Sequence, residues 1–121
     1  MANFSQDIIN KVWEKGFSID GYDAAKFRQD TCGAWMQKDK YGTEENLGWA
    51  IDHVYPSSKG GKDDLENLRP MNWQNNRSKA DNYPSYQCVI KSNDNKNVKS
   101  DETRVVHESL QETLKSKYKI K

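Results

Sequence analysis

The sequence predicts an α+β fold built from short strands and flanking helices. Two observations at the ends point to helices. Phe4, Ile8, Ile9, Val12 and Trp13 share one face at helical spacing, as do Val106, Leu110, Leu114 and Tyr118. A third lies between them, where residues 48–82 read as strand, long loop, strand, helix. The 121 residues suit one domain, residues 1–121, with 48–82 as its core motif.

The elements follow in chain order. Ser5 or Asn3 caps the first helix, over Phe4 to Lys15, and Gly16 ends it. Asp23 is placed to cap a short helix from Ala24 to Arg28. Cys32-Gly33-Ala34-Trp35-Met36 reads as a turn leading to a short strand or knuckle, and Lys38 to Asn46 as a polar connection. Gly48 to Val54 alternates as a strand, and Pro56 stops it. Gly60-Gly61 marks a flexible loop tip. Asn67 to Met71 is a second strand, held to an edge or end by Pro70. Asn72 caps a helix from Trp73 to Ala80. Tyr86 to Lys91 is a further strand, Ser92 to Asn97 a polar turn, and the last helix begins at Glu102.

Composition narrows the function. The net charge is +1, which gives no strong general grip on nucleic acid. Mean hydropathy is −1.11, so the core is small and leans on four Trp, six Tyr and three Phe. No run is long and apolar enough to span a membrane, and the N-terminus lacks a signal peptide's pattern. The expectation is a soluble, cytoplasmic chain with no membrane partner. Cys32 and Cys88 have no CxxC partners, and buried free thiols are expected in a reducing compartment. The lysines of Lys115 to Lys121 suit either a solvated helix end or a phosphate-contacting tail.

The chemistry concentrates in the core motif. Asp52 directly precedes His53 at the end of an apolar strand, and carboxamides Asn75 and Asn76 follow at the start of a helix. Phosphodiester hydrolysis needs an activated water, neutralised phosphorane oxygens and a stabilised leaving oxygen. An imidazole that titrates near neutrality suits the first task. A divalent cation suits the other two. His53 is therefore the candidate general base, and Asp52 a hard oxygen ligand. The two share a site only if the strand ends or bulges there, since neighbouring strand residues face opposite ways. A helix amide, Asn76 or Asn75, supplies a second ligand. Asn67 would brace the long loop by bonding its backbone. One carboxylate and one amide fit a single hydrated cation, Mg²⁺ or alternatively Mn²⁺ or Ni²⁺, and not a two-metal centre. Asp63, Asp64 and Glu66 read as solvated loop acids. Arg77, Lys79, Lys59 and Lys62 are candidate phosphate contacts, while His107 reads as a surface residue.

Asp52-His53-Val54-Tyr55-Pro56, Gly60-Gly61, Asp64-Leu65-Glu66-Asn67-Leu68 and Asn75-Asn76-Arg77-Ser78-Lys79 resemble the HNH endonuclease motif. The resemblance is to the ββα-metal class, in the variant with Asn in place of the last His. It implies a ββα-metal core of two short antiparallel strands, a long loop and a helix. It implies His53 as general base, Asp52 and Asn76 as metal ligands, and Asn67 as a structural member of the catalytic set. It further implies DNA cleavage to 5′-phosphate and 3′-hydroxyl ends, with RNA also open as substrate. Asp30 to Trp35 and Tyr41-Gly42 are similar to the lead-in of bacterial and phage members, where a CxxC pair binds structural zinc. Only Cys32 stands here, which argues against zinc. Two alternatives compete with an active nuclease. One is a catalytically silent nucleic-acid-binding module of HNH shape, and the other a toxin or effector domain acting with a partner protein.

Overall fold

A computed structural model describes residues 3–120, so Lys121 of the lysine-rich tail and Met1-Ala2 of the N-terminus lie outside it. The chain runs α1 (Gln6–Trp13), β1 (Phe27–Gln29), β2 (Trp35–Gln37), β3 (Trp49–His53), β4 (Leu68–Asn72), α2 (Trp73–Lys79), β5 (Ser85–Asn93), β6 (Lys96–Val105) and α3 (Glu108–Tyr118). The strands pair antiparallel in sequential couples, β1 with β2, β3 with β4 and β5 with β6. The result is an α+β fold. Its β3–loop–β4–α2 unit is a ββα core, flanked by α1 and α3.

That hairpin separates two apolar clusters. Trp49, Ile51 and Leu68 pack with Ile9, Val12 and Trp13 of α1. Val54 and Met71 pack on the other side with Tyr86, Val106 and Leu114. A two-stranded sheet has no stability of its own, so burial on both sides is what holds β3 and β4 together. Ser5 caps α1 by accepting from the Ile8 amide at 3.2 Å. Asn72 caps α2 by accepting from the Gln74 amide at 2.9 Å. Pro70 sits opposite Ile51, and either strand of a two-stranded sheet is an edge.

Four expectations are corrected. Asp23 does hold the Ala25 amide at 2.9 Å, but only one turn forms before β1 begins. Arg28 then donates to the carbonyls of Ala24, Glu14 and Gly16, which ties the segment to the end of α1. The last helix begins at Glu108 and not Glu102, because residues 102–105 belong to β6 and pair with Ser85 to Cys88. His107 is its N-cap, its Nδ1 accepting from the Ser109 amide at 3.3 Å. Gly61 is buried and is not a free loop tip. A Cβ there would come within 1.8 Å of the Tyr55 carbonyl oxygen, so only glycine lets the loop fold back this closely.

The fourth correction concerns the cysteines. Cys32 and Cys88 are joined as a disulfide, with their Cα atoms 5.8 Å apart. Asp30 is the reason they meet. It is buried, and its carboxylate accepts from the amides of Cys32 (2.9 Å), Ala34 (2.8 Å) and Asn72 (2.9 Å) and from Asn75 Nδ2 (3.1 Å). Asn75 in turn accepts from the amides of Val89 (2.8 Å) and Ile90 (2.9 Å). The knuckle, α2 and β5 are thus tied through two side chains, which sets Cys32 against Cys88. Burial raises the Asp30 carboxyl above its usual range, and the four N–H donors offset only part of that rise. No helix among the described residues is long and apolar enough to cross a membrane.

Candidate active site

His53 is the last residue of β3, so the strand ends where the site needs it to. Asp52 and His53 leave the backbone differently, as adjacent strand residues must. Asp52 is 3% exposed, whereas His53 is half-buried at the rim of a cleft. The cleft is nevertheless common to both, since Asp52, His53 and Asn76 line it together with Ser57 and Asp81. His53 and Asn76 also line a neighbouring cleft with Trp73 and Arg77. The three residues expected around one cation are therefore brought together.

The two helix asparagines are not equivalent. Asn75 is fully buried and spends its whole carboxamide. Its Oδ1 takes the Val89 and Ile90 amides, and its Nδ2 gives to Asp30 and to the Ile90 carbonyl at 3.0 Å. Asn76, one residue on, is half-buried and makes no side-chain hydrogen bond among the described residues. Its amide oxygen is open to the cleft residues. Of the two, Asn75 has its carboxamide committed to Asp30 and β5, and Asn76 lines the cleft.

Asn67 braces the loop in the manner expected. It is fully buried, and its Oδ1 accepts from the Tyr55 amide at 2.7 Å. Its Nδ2 donates to the carbonyls of Tyr55 (3.0 Å) and Lys62 (3.1 Å), and its own carbonyl accepts from Val54 at 2.8 Å. Asn67 bonds to loop backbone and lines neither cleft.

The basic residues divide. Lys79 was expected at the substrate phosphate, but it is fully buried and cannot reach one. It points inward because α2 packs on β3. Its Nζ lies 3.3 Å from Asp52 Oδ1 and donates to the His53 carbonyl at 3.1 Å. Burial pushes the Lys79 ammonium below the usual lysine range, Asp52 pulls it up, and the Arg69 charge lowers it. Arg69 Nε donates to Asp52 Oδ2 at 2.9 Å. Arg77 is exposed, pairs with Glu44 and lies 4.8 Å over the Trp73 ring. Lys59 and Lys62 are exposed on the loop.

Three loop acids that read as solvated have partners. Asp63 Oδ1 is 2.6 Å from His53 Nε2. Asp64 accepts from the Tyr118 hydroxyl at 2.8 Å, and Glu66 lies 3.5 Å from Lys117. The last contact engages one lysine of the tail. Residues the sequence left unassigned, Arg69 and Asp30, line neither cleft but hold residues beneath them, Arg69 on Asp52 and Asp30 on Asn75. Arg69 stands opposite Asp52 in the β3–β4 register, which is a signal available once that pairing is known.

The donor set fits a cation that keeps most of its water. Among the described residues no group of three or more His, Cys, Asp and Glu converges, so protein ligands are few. Asp52 offers about four acceptor sites and uses one on each oxygen for Arg69 and Lys79. Spare lone pairs remain on a carboxylate whose orientation the two cations hold. With the open Asn76 oxygen, the set is two hard oxygens, as magnesium tolerates.

The HNH endonuclease family model matches residues 37–82. The match spans β3, the loop, β4 and α2, together with the polar connection before them. No curated protein and no solved structure matches the chain. This segment, built around the cleft of Asp52, His53 and Asn76, is what the chain shares with the HNH endonuclease family.

Proposed function

We propose that this protein is a divalent-cation-dependent endonuclease that hydrolyses DNA phosphodiester bonds with His53 as general base. The observation that carries this reading is the shared cleft, where an imidazole, a buried carboxylate and an uncommitted amide oxygen meet. Asp52 and Asn76 would hold the cation, with Mg²⁺ as the expected ion and Mn²⁺ or Ni²⁺ as substitutes. When bound, it supplies charge neutralisation at the scissile phosphate and at the leaving oxygen.

The chain's own residues do the rest. His53 accepts a proton from water as the water oxygen bonds to phosphorus. The bond to the 3′ oxygen breaks, that oxygen leaves with the bonding pair and is protonated by solvent. A 5′-phosphate and a 3′-hydroxyl result. Lys79 and Arg69 fix the Asp52 carboxylate, and Lys79 also holds the His53 carbonyl. Arg77, Lys59 and Lys62 supply exposed positive charge for backbone phosphates. The site reads phosphate and not base, so RNA is a competing substrate for the same chemistry.

The test is incubation of the wild type and His53→Ala with supercoiled plasmid, single-stranded DNA and RNA over Mg²⁺, Mn²⁺ and Ni²⁺. The wild type should nick plasmid with metal and lose activity with chelator. His53→Ala should fall by about 10³-fold or more with unchanged thermal stability. Full activity in His53→Ala overturns the mechanism. No cleavage of any substrate favours a binding module.

A further inference from the structure

His53 meets the long loop at one atom pair, Nε2 to Asp63 Oδ1 at 2.6 Å. An exposed carboxylate on a loop ordinarily swings freely and contributes little. Asp63 is 59% exposed, yet the residues on both sides of it are pinned. Before it, the Lys62 carbonyl accepts from Asn67 Nδ2 at 3.1 Å and the Lys62 amide donates to the Tyr118 hydroxyl at 3.3 Å. After it, Asp64 accepts from that same hydroxyl at 2.8 Å. The histidine end is held by the same Asn67, through Val54 and Tyr55, and by Lys79 on the His53 carbonyl. The other loop acids face elsewhere, Asp64 toward Tyr118 and Glu66 toward Lys117.

We propose that Asp63 is the positioning residue for His53, fixing its tautomer so that Nδ1 is the nitrogen that takes the water's proton. The chemistry follows from the contact. An ionised carboxylate only accepts, so the shared proton lies on Nε2, and in a neutral imidazole the other nitrogen is then bare. Asn67 and Tyr118 serve this arrangement by delivering Asp63 to the ring. The inference rests on His53 being the base.

Two measurements test it. The first is ¹⁵N NMR of the metal-free chain, with His107→Gln to assign the two histidines. His53 should carry its proton on Nε2 in the wild type, and the two tautomers should mix in Asp63→Ala. The second is plasmid nicking at saturating Mg²⁺. Asp63→Ala and Asp63→Asn should lower kcat by about 10²-fold. KM for DNA should stay within about twofold, and Asp63→Glu should recover part of the loss. Unchanged kcat in Asp63→Ala beside an inactive His53→Ala overturns the positioning role and leaves the base standing. So does a loss of Mg²⁺ affinity by calorimetry that matches the loss of activity, since Asp63 would then be a ligand. An active His53→Ala removes the base reading and this inference with it.

Discussion

Asn75 and Asn76 sit side by side on α2, yet they belong to different parts of the site. Asn75 is one of the floor residues, with Asp30 and Lys79. These are buried, and their polar atoms are spent on one another, on Asp52 or on backbone. Asn76 is one of the wall residues, with His53 and Arg77, which face the clefts with valences to spare. A saturated group defines shape, and an unsaturated one meets a ligand. Changes to the floor should therefore unfold the protein, whereas changes to the wall should silence a protein that still folds.

The largest effect on stability is expected at Asp30. Its carboxylate serves four N–H donors, and Asp30→Ala leaves them without an acceptor in a buried place. At about 1–3 kcal/mol for each buried group left unpaired, with some relieved by water, the loss should be about 4 kcal/mol. Urea denaturation checks it, and a loss below the range for a single hydrogen bond would remove Asp30 from the floor.

The Cys32–Cys88 bond is next. It closes a loop of 56 residues' separation, for which chain entropy gives about 4 kcal/mol, with measured cases commonly nearer 2–4. Reduction, or the Cys32→Ser/Cys88→Ser pair, should lower the denaturation midpoint correspondingly. An unchanged midpoint would mean that the Asp30 and Asn75 bonds alone hold the knuckle to β5.

The paired asparagines sharpen the contrast further. Asn75→Ala should cost about 2–3 kcal/mol, because it strands the buried Val89 and Ile90 amides. Asn76→Ala should change stability by less than about 0.5 kcal/mol, yet weaken Mg²⁺ binding about tenfold. Calorimetric Mg²⁺ titration beside thermal melts separates the two. If Asn76→Ala lowers stability as much as Asn75→Ala and leaves Mg²⁺ binding unchanged, the distinction between floor and wall fails.

The same division explains what could be read from the sequence. The core motif is local. Pro56 stops β3, Asn72 starts α2, and His53, Asn67 and Asn76 follow along one continuous segment of the chain. Each of these signals acts over a few residues, and the strand–loop–strand–helix order followed from them. The floor depends on pairings between distant segments. Lys79 looks like a surface lysine on a polar helix until β3 is packed beside it. Asp30 falls in a segment similar to the family's lead-in, but that likeness gives no sign that Asn72 and Asn75 are its partners. Cys32 and Cys88 meet only because those bonds have formed. Residues 102–105 misled for a related reason. The helical spacing of Val106, Leu110 and Leu114 is real, but extending it backward ignored the pairing with β5 that Thr103 and Val105 join. Asp63 was missed because an acid beside Gly and Lys in a loop carries no sign of where the loop returns.

The smallest expected effect lies at the outer edge of the wall. Arg77 pairs with Glu44 and covers the Trp73 ring, with both charged side chains well exposed. Exposed pairs of this kind are worth at most about 1 kcal/mol, so Arg77→Ala should barely move the melting temperature. If Arg77 touches a phosphate, the same change should weaken DNA binding about equally across sequences and reduce the salt slope by about 1. Glu44→Ala gives the opposite sign. It removes a negative charge beside the cleft and frees the guanidinium, so DNA binding should tighten a few-fold at low salt and converge on wild type at high salt. Binding isotherms over a salt series measure both. Equal and salt-independent behaviour of the two variants would place the DNA backbone elsewhere, and the exposed loop residues Lys59 and Lys62 would become the contacts to test.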